Sequence, residues 1–461
     1  MTMSEIAMTG GAQTAPCAEL DARVRYAAAV LLDCPLDDFH WPEWLAYGPP
    51  ARGHRGITIV PSGFFGPAYG TPGTLPALPL ATLDDIPILF GKPLLERRAE
   101  ELIVHADILA SAFFLLTRYE EWVRPDARDQ HDRFPGTESL LSRAGFLERP
   151  VVDEYAEKLR QWAAQRGLPW PGRKRTFTVL LTHDIDTLGP ELGVESALRQ
   201  IAAAGLGRKP WNEAVAGARS ACGWTNDRHN NLSEVRLLDR VLQERLGPDC
   251  CRVIYFFMAG GNSVHDRPYR LRAPLARQAV RQVLAGGAEV GLHASYSAGM
   301  DPGRIAGERT QLEAVAQVPV TKNRHHFLNW REMHQGRALV AGGIQWDSTL
   351  GFADLAGFRL GVCRPVPLFD PAARTAIGLE EHPLIVMDCS LSFPKYMNLE
   401  ADQAFACVRR LADATRRHHG EFVLNWHNTS LSAAAPGYDR SLYVRILDYL
   451  ARSPVSGFPL L

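Results

Sequence analysis

From Phe177 onward the chain alternates short apolar runs with longer stretches whose apolar residues recur at helical spacing. The runs read TFTVLLTHD, CRVIYFFMA, AEVGLHAS, VPVTKNRHH, GGIQWDS, HPLIVMDCS and EFVLNWHN, each of strand length. In the intervening LSEVRLLDRVLQERLG, Val235, Leu238, Val241 and Leu242 share one helical face, and Gly247 can cap the end. ADQAFACVRRLADATRRHHG closes with basic residues and a glycine, as the helix dipole and C-cap rules require. Alternation of this kind predicts a parallel α/β sheet or barrel.

Upstream the pattern is different. PSGFFGPAYGTPGTLPALPLATLDDIPILFG is rich in proline and glycine and predicts short strands and turns. HADILASAFFLLTRYEEW predicts a helix with Ile108, Leu109, Ala112, Phe113 and Leu116 on one face, and PVVDEYAEKLRQWAAQRG a second that stops at Gly167. LPWPGRKR then marks the boundary between two units. The division expected is a disordered segment 1–16, a smaller α+β accessory domain 17–170, and an α/β domain 171–461.

Nearly every predicted strand ends in ionisable residues: Asp184 and Asp186, His293, Arg324 with His325 and His326, Asp347, Asp388, and His427. In α/β barrels these ends line one mouth, so residues distant in sequence would meet in one pocket. Two carboxylates one residue apart share a side of a strand and should not both stay ionised without a cation nearby. A divalent ion would resolve this; capping of the following loop is the plainer alternative. Two histidines with one aspartate form a common ligand set for zinc and similar ions. His325 and His326, being adjacent, face opposite ways on a strand, so at most one enters the site. The dipeptides His183–Asp184, His131–Asp132 and His265–Asp266 match HD phosphohydrolases in composition, but that chemistry presents its residues from helices.

Composition narrows the classes. Apolar residues make up 46% and charged residues 22% of 461, as in a folded soluble protein, and the net charge of −1 argues against a nucleic-acid partner. Eight cysteines include no CxxC pair, so a thiolate zinc site is not expected, and Cys250 and Cys251 read as packing residues. There is no secretory signal pattern and no run near the ~20 apolar residues of a membrane span, which makes the cytoplasm the expected location.

The ordered set THDID, GLHxSY, NRHH, WDSTLGF, GFRLG, MD and WHN, from about residue 105 to the end, resembles the NodB-like polysaccharide deacetylases of carbohydrate esterase family 4. Within them it is similar to a bacterial subgroup with an extra N-terminal domain. The resemblance implies a distorted (β/α) barrel of about seven strands, one divalent metal ion such as zinc, and removal of an N-acetyl group from an amino sugar in a glycan or its precursor. It makes Asp184 the general base, Asp186 and His293 metal ligands, Arg324 the arginine beside the base, and His427 the general acid. The family's second motif, H-x-x-x-H, departs here: Ser297 stands where the second histidine would be. His326 is the proposed replacement, with His325 the alternative. Asp388 is placed to orient His427.

Three further residues are candidates for the substrate. Asp347 would hold Arg324 or a substrate hydroxyl, or else cap a turn. Arg359 would meet a substrate phosphate or carboxylate, or else form a salt bridge. Trp426, with Trp330 and Trp346, would stack on a sugar, or else pack in the core. Two other functions compete: a non-catalytic carbohydrate-binding or scaffold protein on the same fold, which Ser297 favours, and a metal-independent glycoside hydrolase pairing Asp184 with Asp347 or Asp388.

Overall fold

The structure, a computed structural model, describes residues 21–51, 53–188, 194–207, 210–211, 214–215, 231–266, 269–331, 334–432, 435 and 437–452. The segment expected to be disordered, with Cys17 and Cys222, lies outside the described residues. The first unit holds strands β1 (Leu45–Tyr47), β2 (Gly56–Ile59), β3 (Ala81–Leu83), β4 (Ile86–Ile88), β5 (Gly91–Arg97) and β6 (Glu101–Ala106). Four of them form a sheet in the order β1-β2-β6-β5, and β3 pairs with β4. Helices α1 (Ala22–Leu31), α2 (Ile108–Leu116) and α3 (Val151–Gln165) pack together. The sequence pattern gave α2 one apolar face, but all nine of its residues are buried. Asp107 caps it by accepting the Ala110 N–H at 3.0 Å. The helix breaks after Leu116, where Arg118 takes a left-handed φ of 52°.

The second unit is built on β7 (Thr178–Ile185), β8 (Cys251–Met258), β9 (Glu289–Ala294), β10 (Lys322–His325), β11 (Trp346–Asp347), β12 (Val366–Asp370), β13 (Thr375–Glu381), β14 (Val386–Met387) and β15 (Glu421–Asn425). They form one nine-stranded sheet, ordered β12-β13-β11-β10-β9-β8-β7-β15-β14. Every pairing is parallel except β12–β13. The seven apolar runs read from the sequence correspond to β7 to β11, β14 and β15. The hairpin β12–β13 is an addition the pattern hid. β12 contains Pro367, tolerated because the strand is at the sheet edge, and only two of the seven β13 residues are buried.

The sheet is curled into a half-barrel. β8 and β11 are three strand steps apart, about 14 Å on a flat sheet, yet Phe256 of β8 stacks on Trp346 of β11 at 6.0 Å between centroids. Gly291 of β9 makes room for that ring, since a Cβ there would lie 2.5 Å from Phe256. Leu180, Ile254, Phe256, Leu328, Trp346 and Val423 fill the inside of the curl. On its outside, the helix Leu232–Leu246 buries Val235 and Leu242 as expected, but turns Asp239 inward rather than Val241. Asp239 is kept there by the hydroxyls of Tyr255 and Tyr443, which donate to it at 2.5 and 2.6 Å. Among the described residues no helix is long and apolar enough to cross a membrane.

Buried residues of both units join one hydrophobic cluster, so the change of topology near residue 170 is not a gap between cores. Tyr26 of α1 stacks on Phe369 of β12 at 4.7 Å. Two buried ion pairs cross the same junction, Arg364–Asp153 at 2.6 Å and Arg359–Glu121 at 2.6 Å. Removing one partner of such a pair strands a charge away from water. Glu121→Ala is therefore expected to destabilise the chain by about 3–5 kcal/mol, measured by urea denaturation. The exposed Arg55–Glu100 pair serves as a control, and breaking it should leave the midpoint unchanged.

Candidate metal and active site

Strand alternation sorts the residues at the end of β7. His183 faces outward, where its Nδ1 lies 2.8 Å from the Trp426 carbonyl and its Nε2 3.1 Å from Asp239. Thr182 and Asp184 face inward. Arg324, fully buried on β10, reaches across and donates from Nη1 to Thr182 Oγ1 at 2.6 Å and to Asp184 Oδ1 at 3.3 Å. Its Nε and Nη2 donate to the carbonyl and hydroxyl of Ser348, both at 2.8 Å. Asn425 Nδ2 donates to the other Asp184 oxygen at 2.8 Å. The carboxylate is thus gripped at both ends.

Asp186, just past the strand, shares the same mouth. Its Oδ1 lies 3.2 Å from His293 Nε2, and its Oδ2 lies 3.8 Å from His326 Nε2. The ligating atoms of Asp186, His293 and His326 all fall within 4.8 Å of one another. Ligands about 2.0–2.1 Å from a tetrahedral zinc are spaced about 3.4 Å apart, so this spacing suits one ion. His293 Nδ1 is 2.9 Å from the Arg324 carbonyl, which only an N–H can satisfy, so the Nε2 lone pair is left facing Asp186. His293 Nε2 and Asp186 Oδ1 are both buried, and neither has a hydrogen bond. Two buried polar atoms without hydrogen bonds, 3.2 Å apart, are a pair of donors that one cation would satisfy. Burial would raise Asp186, but the imidazoles of His326, His293 and His427 outweigh it and hold its carboxyl well below the usual range. The donor set fits a divalent ion.

His427 completes the mouth from the end of β15. Its Nε2 stands 3.8 Å from both Asp184 and Asp186. Behind it Asp388 Oδ1 lies 2.7 Å from Nδ1, and Asp388 Oδ2 accepts the His427 backbone N–H at 2.9 Å. Burial lowers His427, yet the Asp388 carboxylate holds its imidazole well above the ordinary histidine value. Cys389 is near, 3.6 Å from Nδ1, but burial pushes its thiol up to about 12, too high for a nucleophile at neutral pH.

Several sequence candidates fall elsewhere. His325 points away from the mouth; its Nδ1 lies 3.0 Å from Asn323 Nδ2, and burial takes its pKa down to about 3. Asp347 does not hold Arg324 and is shut off from any substrate. It caps its own turn, accepting the Thr349 N–H at 3.0 Å and the Asn323 amide at 2.7 Å. Arg359 is spent on Glu121 and on the Gly351 carbonyl at 2.8 Å, far from a ligand role. Trp426 is buried against Tyr443, and Trp330 and Trp346 are buried too, so none offers a face to a sugar.

The sequence reading does not bring two residues to the mouth: Asn425, which it leaves unmarked, and Asp266, which it notes only within a His–Asp dipeptide. Asn425 precedes His427 by two and shares its side of β15, a signal that was available. Asp266 lies on the loop after β8, at the sheet's C-terminal edge, with its Oδ1 3.5 Å from His326 Nδ1. It accepts the Ser297 hydroxyl at 2.6 Å and the Tyr296 N–H at 2.7 Å. Burial would raise it, but His326, Ser297 and those N–H groups hold it far below the usual range. The position histidine would occupy in the H-x-x-x-H pattern therefore anchors a carboxylate instead.

Residues 57–167 match a family of unknown function, DUF7033. A search of curated proteins finds no match for the chain. Among solved structures, the chain is similar to one described as a polysaccharide deacetylase from Mycobacterium smegmatis, at 18% identity and a TM-score of 0.38, covering 62% of this chain and 87% of that one. It is also similar to the allantoinase PuuE, at 14% identity and a TM-score of 0.34, covering 61% and 85%. A 4-alpha-glucanotransferase from Thermococcus litoralis matches at 10% and 0.32, covering 61% and 39%. The chemistry has to come from the residues themselves.

Two expectations follow. Purified chain dialysed against zinc should retain about one ion, lost in Asp186→Ala and His293→Ala and kept in His325→Gln, by elemental mass spectrometry. The second concerns Glu381, buried near Asp347, where burial and then the Asp347 charge raise its carboxyl well above the ordinary value. Its folded pKa exceeds the unfolded one, about 4.3, so its contribution is complete below that pH and is lost as pH rises through the folded pKa. Wild type should lose stability relative to Glu381→Gln as pH rises above about 4.3, and denaturation midpoints of the two that stay parallel with rising pH would contradict it.

Proposed function

We propose that this chain is a metal-dependent hydrolase that removes the N-acetyl group from an amino sugar in a glycan or glycan precursor. The observation that supports it best is the convergence of Asp184, Asp186, His293, His326 and His427 on one point, with a buried arginine behind the first and a buried carboxylate behind the last.

Asp186, His293 and His326 would hold the ion, zinc or a similar divalent cation. Such an ion supplies Lewis acidity, easing deprotonation of water and polarising an amide carbonyl. The remaining work falls to the chain. Asp184, aimed by Arg324 and Asn425, accepts the proton of the attacking water. His427, kept protonated by Asp388, donates to the departing sugar nitrogen, which is too basic to leave as an anion. General acid–base help of this kind is worth about two to four orders of magnitude in rate.

The arrangement disfavours the other readings. A glycoside hydrolase would need a second carboxyl facing Asp184 across a substrate, but Asp347 is sealed in a turn and Asp388 is engaged by His427. A binding protein would have no use for an acid–base pair aimed at a shared point.

The test is acetate release from N-acetylated amino sugars and their oligomers. Chelation should abolish release and zinc restore it. Asp184→Asn should lower turnover by about 10²-fold or more while keeping its metal by elemental analysis. Release that continues in chelator would sink the proposal, and so would full activity in Asp184→Asn.

A further inference from the structure

We infer that the metal site is assembled across both units of the chain. The Asp129–Arg133 segment of the N-terminal unit and the Ser297–Asp266 pair of the barrel together position His326 as the third ligand. This rests on the metal reading above and extends it to residues outside the ligand set.

The backbone just after His326 is the first observation. Phe327 and Leu328 have φ of 61° and 52°, a region that bulky residues avoid unless their surroundings impose it. The N-terminal unit supplies that imposition. Arg133 Nη1 donates to the Phe327 carbonyl at 2.9 Å, while its Nε and Nη2 donate to Asp129 at 2.8 and 2.7 Å. Asn329 Nδ2 donates to the His131 carbonyl at 2.9 Å, and Arg331 donates to Asp132 at 2.6 Å. The His131 ring packs on Phe327, with centroids 4.7 Å apart. Four consecutive contacts thus tie residues 327–331 of the barrel to residues 129–133.

The second observation lies on the opposite side of the imidazole. His326 Nδ1 is buried and unpartnered, 3.5 Å from Asp266 Oδ1. A proton on Nδ1 aimed at that carboxylate leaves the Nε2 lone pair toward Asp186, the usual carboxylate–histidine–metal relation. Ser297 grips Asp266 through its hydroxyl, whose oxygen in turn accepts the backbone N–H groups of Asn262 and Ser263 at 3.0 and 3.1 Å. A serine at 297 cannot replace a histidine ligand, but it can secure the carboxylate behind a ligand brought from the next strand. Arg133, Asp266 and Ser297 are positioning residues; none touches the point where the ion would sit.

The test uses the full chain. Zinc affinity is measured by competition with a chromophoric chelator, and geometry by the visible absorption of the cobalt(II) form. Arg133→Ala should weaken zinc about ten- to a hundredfold, the range for such outer partners, and diminish the tetrahedral cobalt bands. Arg133→Lys, which can still reach the Phe327 carbonyl, should recover part of both. Ser297→Ala should weaken zinc several-fold and carries the test if Arg133→Ala does not fold. Wild-type affinity and spectrum in both Arg133→Ala and Ser297→Ala would overturn the inference while the metal reading stands. No zinc or cobalt on the wild type would overturn the metal reading itself.

Discussion

A guanidinium with no access to water ties β10 to β7 across the inside of the curled sheet. Arg324 spends its donors on Thr182, Asp184 and Ser348, and its cation lies 4.8 Å from the Phe256 ring centroid. A buried charge of this kind is tolerated only when paired and hydrogen-bonded. Its partner must therefore stay where it is, and Asp184 has little freedom left. Because the strands are parallel, fixing Asp184 at the end of β7 also sets the height at which His293, His326 and His427 meet it. The rest of the mouth is built around that one carboxylate.

Outward from it, each functional side chain has a second group holding its far end. His293 leans on a backbone carbonyl, His427 on Asp388, Asp184 on Arg324 and Asn425. The atoms left without partners, His293 Nε2 and Asp186 Oδ1, face inward. Polar atoms are usually satisfied in a protein interior, so two bare atoms 3.2 Å apart in the middle of the mouth are a strong constraint on what belongs between them.

The strands were legible because parallel strands buried on both faces are nearly continuous apolar runs. The strand-end residues were legible because histidine and aspartate recur where most of these runs stop. The hairpin β12–β13 was not, since an edge hairpin with a half-exposed strand carries no continuous run. For Arg359, Asp347 and Trp426 the sequence left substrate contact and a structural role both open, and the structure gives the structural one. Their residue types suit a substrate site, but whether a charge or ring faces a cleft or a neighbouring element depends on contacts such as Glu121 or Tyr443, hundreds or tens of residues away. Asp266 stood out only within a His–Asp dipeptide, because a loop carboxylate has no periodicity that ties it to the strand-end residues.

Under the proposed metal reading, Ser297 stands where the NodB-like pattern has a histidine, and the third ligand role passes to His326. A histidine at 297 would stand in the short helix Tyr296–Met300 and be held by that helix's hydrogen bonds. A ligand taken from the end of β10 has no such support, for the chain must turn sharply there, and it does so through two residues of positive φ. Strain at a site persists only when neighbours over-determine the backbone; here His265 and Tyr296 of the barrel pack on the Phe327 ring, while Arg133, His131 and Asp132 of the N-terminal unit bind the polar groups of residues 327–331. In the proposed reading the N-terminal unit is the wall against which the third ligand is set, and the hydrophobic core the two units share holds that wall in place. A wall that moved freely against the barrel could not hold an imidazole within the few tenths of an ångström that metal coordination demands.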